Sequence, residues 1–186
     1  MSQSGGSVDT LPGVTRPAEP DGFRDFVEAR SSALLRSGWL LTGDWPSAED
    51  LVQTALAAAW PRWSSLERPD APELYVRKIM VNTFLRWRQR RWNGEIATGQ
   101  LPEQRAYGDV FAQVDARESL LAALDRLPAR QRAVVVLRYF ADQTEAQTAA
   151  AMGCSVGAVK SHGAKALARL RDAPGLAELL TGGVAS

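Results

Sequence analysis

The segment Thr144–Leu170 reads TEAQTAAAMGCSVGAVKSHGAKALARL, and its punctuation decides the fold. Thr144-Glu145-Ala146-Gln147 has the form of a capping box, in which a hydroxyl and an amide satisfy the first free N–H groups of a helix. A short helix then runs to about Met152. Gly153-Cys154-Ser155 is a turn: Gly153 supplies the left-handed conformation that ends the first helix, and Ser155 N-caps a last helix to about Arg171. Helix, short glycine turn and longer helix make a helix-turn-helix pattern. On a helical wheel Val156, Val159, Gly163, Ala166, Leu167 and Leu170 share one side. Gly157, Ala158, Ser161, Lys165 and Arg169 share the other, with Lys160 and His162 on the flanks. No acid occurs from Val156 to Arg171. Small residues let a helix enter a major groove about 12 Å wide, and lysine and arginine reach phosphates and base edges. A solvated amphipathic helix shows the same face; the capped helix and turn in front of it favour DNA.

Working back along the chain, Leu120, Leu121, Leu124 and Leu127 form an apolar stripe in a helix resuming near Asp115. Pro128 starts the next helix, with Val134, Val135, Leu137 and Phe140. Asn93 to Gly108 has no sustained period and reads as a linker. Before it, Tyr75 to Trp92 holds Arg77, Lys78, Arg86, Arg88, Arg90 and Arg91, interleaved with aromatics and free of acids. Basic groups neutralise phosphates and aromatic faces stack on exposed bases, which opened DNA offers together. Val76, Ile79, Met80, Thr83 and Trp87 share a face there, so Trp87 is expected in the core. Pro72 suits the first turn of this helix, and Ser64 to Ala71 is expected to be a loop. Ser47-Ala48-Glu49-Asp50 resembles a second capping box, opening a helix from about Ala48 to Trp60, with Asp50 as its acid. Helical periodicity begins near Phe23, and Thr42-Gly43-Asp44 interrupts it.

No segment alternates with period two, so the expected fold is all-α: two small helical domains joined by a flexible linker. The expected boundaries are a disordered leader 1–21, a first domain 22–92, a linker 93–113, a second domain 114–172 and a short tail 173–186. A formal charge of +1 over 186 residues places the nucleic-acid argument on charge distribution alone. One cysteine, Cys154, and one histidine, His162, exclude an internal disulfide and argue against a structural zinc site. Cys154 is either a redox-sensitive thiol or a small buried apolar group, and His162 either a DNA contact or an incidental helix residue. There is no phosphate loop, ligand cluster or nucleophile–histidine pairing, so no catalytic residue, cofactor, metal or small-molecule substrate is expected. Without a signal peptide or spanning segment, the expected location is the cytoplasm.

The two basic segments, in this order, resemble the extracytoplasmic-function sigma factors, and more narrowly their actinobacterial sigma-E-type branch. Ala48-Glu49-Asp50-Leu51-Val52-Gln53 resembles the polymerase-binding helix of region 2. Tyr75 to Arg91, with Val81-Asn82-Thr83 inside it, resembles the promoter-melting helix, and Leu124 to Leu170 resembles region 4. The resemblance implies core polymerase (β and β′ subunits) and promoter DNA as partners, with an anti-sigma factor possible in this family. It assigns Asp50, Leu51 and Gln53 to polymerase, and Arg77, Lys78, Asn82, Thr83, Arg86, Arg88 and Arg90 to the −10 strand. It assigns Ser155, Gly157, Ala158, Lys160, Ser161 and Lys165 to the −35 duplex. The loop Glu67 to Glu73 is where family members hold a flipped base, and Asn93 to Gln113 would thread toward the RNA exit path. Thr148 stands where relatives usually carry an apolar residue, and Gly163 weakens the last helix by about 1 kcal/mol relative to alanine. Together with Ala149-Ala150-Ala151, Thr148 implies light packing. A stand-alone helix-turn-helix regulator is the competing reading, but it leaves the first basic segment and the Asp50–Gln53 helix without a task.

Overall fold

The computed structural model describes residues 19–66, 71–92 and 114–171, and every regular element among them is helical. The first unit contains α1 (Phe23–Thr42), α2 (Trp45–Ala59), a 3-10 helix (Trp60–Ser65) and α3 (Ala71–Trp92). The second contains α4 (Val114–Asp125), α5 (Ala129–Val135), a π turn (Val136–Phe140), α6 (Glu145–Met152) and α7 (Val156–Leu170). The expected linker 93–113, the tail 173–186 and residues 1–18 of the expected leader lie outside the described residues.

α1 begins and ends where its sequence indicates. Gly43 closes it with φ of 94° and returns its N–H to the Trp39 carbonyl. α2 starts earlier than expected. Asp44, in extended conformation, is its N-cap and accepts from the Ser47 N–H at 2.8 Å. Pro46, in the first turn, fixes the helical φ there, so Ser47 lies inside the helix and Asp50 has no capping duty. The stretch after Ala59 tightens into the 3-10 helix, where Trp60 and Trp63 meet Phe23 edge-on at centroid distances of 4.7 and 4.8 Å. α1 and α2 approach closely at Gly38, where a Cβ would lie 3.2 Å from the Ala48 carbonyl oxygen.

The two units pack against each other. α6 and α5 lie on α3, the π turn touches α1, and the buried apolar side chains form one continuous cluster. Arg132 on α5 joins the units. It is 1% exposed, and its Nε–H donates to the Leu40 carbonyl, one of the last four of α1, at 2.6 Å. Its Nη1 pairs with Asp125, and Nη2 has no partner among the described residues. Burial pulls this guanidinium below its usual pKa, against the opposing pull of the Asp125 carboxylate.

Candidate nucleic-acid interface

α7 is positioned by the punctuation read from sequence. The Thr144 hydroxyl accepts from the Gln147 N–H at 3.1 Å, and the Gln147 side chain accepts from the Thr144 N–H at 2.8 Å. Gly153 is left-handed with φ of 61°, and the Ser155 hydroxyl accepts from the Ala158 N–H at 3.1 Å. Val159, Gly163, Ala166 and Leu170 turn inward toward α5 and α6. Ser155, Gly157, Lys160, Ser161, Ala164 and Lys165 are exposed on the other side, while Ala158 and His162 are half-buried. Lys160 sits 3.6 Å from Glu145 in an exposed ion pair, a contact of the kind worth little in water, so its ammonium is free to move to a phosphate or base. Val156 departs from the wheel: it is 38% exposed although it shares the apolar arc. As the first residue of α7 it lies at the helix's outer end, and helical Cα–Cβ bonds tilt toward the N-terminus.

A close helix approach does not require Gly163, because an added Cβ would meet Val134 Cγ1 at an ordinary 3.6 Å. Thr148 is fully buried and its hydroxyl has no partner among the described residues. Cys154 is half-buried against the core, and its N–H donates to the Ala149 carbonyl.

The basic helix α3 splits into two groups. Lys78, Arg86, Arg90 and Arg91 are exposed, and Asn82 and Arg88 are half-buried. Arg77, expected on DNA, is 4% exposed: it donates to the Glu73 carboxylate at 2.9 and 3.1 Å and to the Ser37 hydroxyl at 2.7 Å. It ties α3 to α1 and is unavailable to a nucleic acid in this arrangement. Thr83 is also buried; its hydroxyl accepts from Arg86 at 3.2 Å, so it acts on the surface through Arg86. The wheel gave α3 one apolar face, Val76–Met80–Thr83–Trp87. A second buried row, Arg77, Val81 and Phe84, lies about 100° around it, because α3 is enclosed by neighbours from both units.

On α2, Asp50 and Gln53 are exposed, whereas Leu51 is fully buried and belongs to the core rather than to a docking surface. Thr54 and Ala57 complete the exposed face beside Asp50 and Gln53. Sequence reasoning passed over both, although their i+4 and i+7 spacing from Asp50 marks them. Among the described residues no group of three or more His, Cys, Asp or Glu side chains could hold a metal, and no helix is long and apolar enough to cross a membrane.

A helix-turn-helix in one unit and a basic helix, free of acids from Tyr75 to Trp92, in the other define a two-part helical DNA-binding protein. Comparison with known families makes the assignment specific. The family model for sigma-70 region 2 matches residues 26–94, and that for sigma-70 region 4 matches residues 117–170. The chain is 42% identical over 150 residues to the RNA polymerase sigma-E factor of Streptomyces coelicolor, covering 81% of this chain and 84% of that protein. It is 31% identical to the ECF RNA polymerase sigma factor SigL of Mycobacterium tuberculosis, over 78% of this chain and 84% of the relative. Its fold matches the sigma factor RpoE of Bartonella quintana, solved in complex with the anti-sigma factor NepR (TM-score 0.65, 24% identity, 87% of this chain and 98% of that one). CnrH, solved with the cytosolic domain of CnrY, also matches (TM-score 0.58, 22% identity, 80% and 84% covered). The chain belongs to the extracytoplasmic-function sigma factors of the sigma-70 family, in the sigma-E-type branch. Sigma factors bind core RNA polymerase and direct promoter recognition without being catalysts themselves, and the stand-alone regulator is not favoured.

Proposed function

We propose that the three exposed faces divide the work of promoter opening in the cytoplasm. The α2 face of Asp50, Gln53, Thr54 and Ala57 docks on the β′ subunit of polymerase. Lys78, Asn82, Arg86, Arg88 and Arg90 meet the non-template strand at the −10 element, with Thr83 steadying Arg86. The α7 face of Ser155, Gly157, Ala158, Lys160, Ser161 and Lys165 reads the −35 duplex. What carries this reading is the placement of two basic surfaces on separate helical units, so that two weak contacts combine by effective concentration on the polymerase. Elements roughly 25 base pairs apart are separated by roughly 85 Å at about 3.4 Å per pair. A folded chain of this size spans only about 40 Å, so the units part when both elements are bound. An anti-sigma partner, as NepR is in the complex of one fold relative, would bind the parted or the packed form selectively.

Run-off transcription with purified core polymerase on genomic fragments, including the region upstream of this gene, tests the assignment. Specific starts are expected with the native chain and are reduced at least tenfold by Arg86→Ala combined with Lys160→Ala, because each lost charge-assisted contact is worth about 1 kcal/mol or more. Failure to bind core polymerase would overturn the reading.

A further inference from the structure

We infer that Val156 is a base-reading residue, and that its target is the 5-methyl group of a thymine in the −35 element. The inference rests on the assignment of α7 to that duplex. Val156, 38% exposed, is the one exposed large apolar side chain among the residues whose side chains are described. It is also the first residue of the recognition helix, and the N-terminal residues of such a helix are those that face base edges. Its surroundings leave room for a base. Gly157 beside it has only the Ser155 hydroxyl, 3.8 Å from where a Cβ would be, and that hydroxyl is held in place by accepting from the Ala158 N–H.

The composition of the helix narrows the target. Val156 to Lys165 contains no arginine, asparagine or glutamine. The two-pronged reads of guanine by arginine and of adenine by asparagine or glutamine are therefore missing from the first three turns. Lys160 and Lys165 supply charge, and Ser161 a hydroxyl that accepts or donates to several bases. An exposed branched apolar side chain at the leading end adds what these lack. In the major groove thymine alone presents a methyl group, so the contact discriminates a T·A pair from the other three.

The test uses holoenzyme reconstituted with the full chain and a promoter found by run-off transcription. Each −35 thymine is replaced in turn by deoxyuridine, which removes the methyl and nothing else, and open-complex formation is measured for the native chain and for Val156→Ala. At one position the native chain is expected to lose about fourfold, the effect of burying one methyl group. Val156→Ala loses about fourfold on the unmodified promoter and nothing more on deoxyuridine at that position. Val156→Thr, which keeps one methyl, restores part of the sensitivity. The side chain is exposed, so both variants should melt like the native chain. The inference is overturned by a native response indifferent to every substitution, by equal deoxyuridine sensitivity in Val156→Ala, or by a −35 element without thymine. Equal weakening of Val156→Ala on all templates with reduced core binding would also overturn it, placing Val156 against polymerase. Absence of core binding by the native chain would instead bring down the sigma assignment, and this inference with it.

Discussion

Four buried aromatics, Trp39, Trp45, Trp63 and Phe84, stand among the leucines of the α1–α3 unit, whereas the α4–α7 unit packs Leu120, Leu124, Leu127 and Leu137 with Val134, Val135, Val136 and five alanines, and fully buries no aromatic among its described residues. Large side chains bury far more apolar area per residue, and aromatic pairs such as Trp39 and Trp45, stacked at 5.6 Å, add directional contact. Alanines bring backbones close but remove little surface from water. Each unit buries a guanidinium, but Arg77 in the first is met by Glu73 and Ser37, whereas among the described residues Arg132 in the second leaves Nη2 without a partner and Thr148 adds an unpartnered hydroxyl. The first unit therefore has the means to stand by itself, while the second leans on it through α6 against α3 and through Arg132 on Leu40.

The sharpest way to break this contrast is to separate the units. Residues 114–171 alone are expected to melt at least ~10 °C below the full chain by circular dichroism, since a loss of about 2 kcal/mol moves a small domain that far. A fragment as stable as the whole would refute the dependence. Next in size, Arg132→Ala should lower stability to urea by about 2–4 kcal/mol, through the cavity, the lost carboxylate pair and an α1 carbonyl left unmet. A loss under ~1 kcal/mol would mean the clasp is idle. Thr148→Val keeps the shape and removes the orphaned hydroxyl, so it should raise stability by about 1–2 kcal/mol in the same titration. Gly163→Ala should give the smallest change, a gain of up to ~1 kcal/mol, because the Cβ finds ordinary contact distance and the helix loses a flexible residue.

Much of this architecture could be read from local chemistry. Gly43, Thr144 with Gln147, Gly153 and Ser155 act within one turn of their own positions, and each has the role its residue type implies. The misreadings have a common cause. Ser47 and Asp44 are both competent caps, and the position of Pro46 in the first turn selects Asp44. A helical wheel gives an angle but not the point along the axis where a neighbour stops, so it put Val156 inside and Arg77 outside. Arg77 and Arg132 are buried by partners 40 and 92 positions away, a distance no local pattern spans. The basic character of α3 was thus legible, yet its sorting into surface arginines and one structural arginine was not.

The bond from Arg132 to Leu40 has a consequence in time. The two residues are 92 positions apart in a chain made at about 5–20 residues per second, so Leu40 leaves the ribosome roughly 5–18 s before its partner. Throughout that interval the end of α1 has only water to meet its Leu40 carbonyl, and from its own emergence until that of α6 the face of α3 at Leu74, Tyr75 and Lys78 is bare. The nascent first half is a species with its own surface and lifetime, and the clasp can be tied before α6 closes over α3.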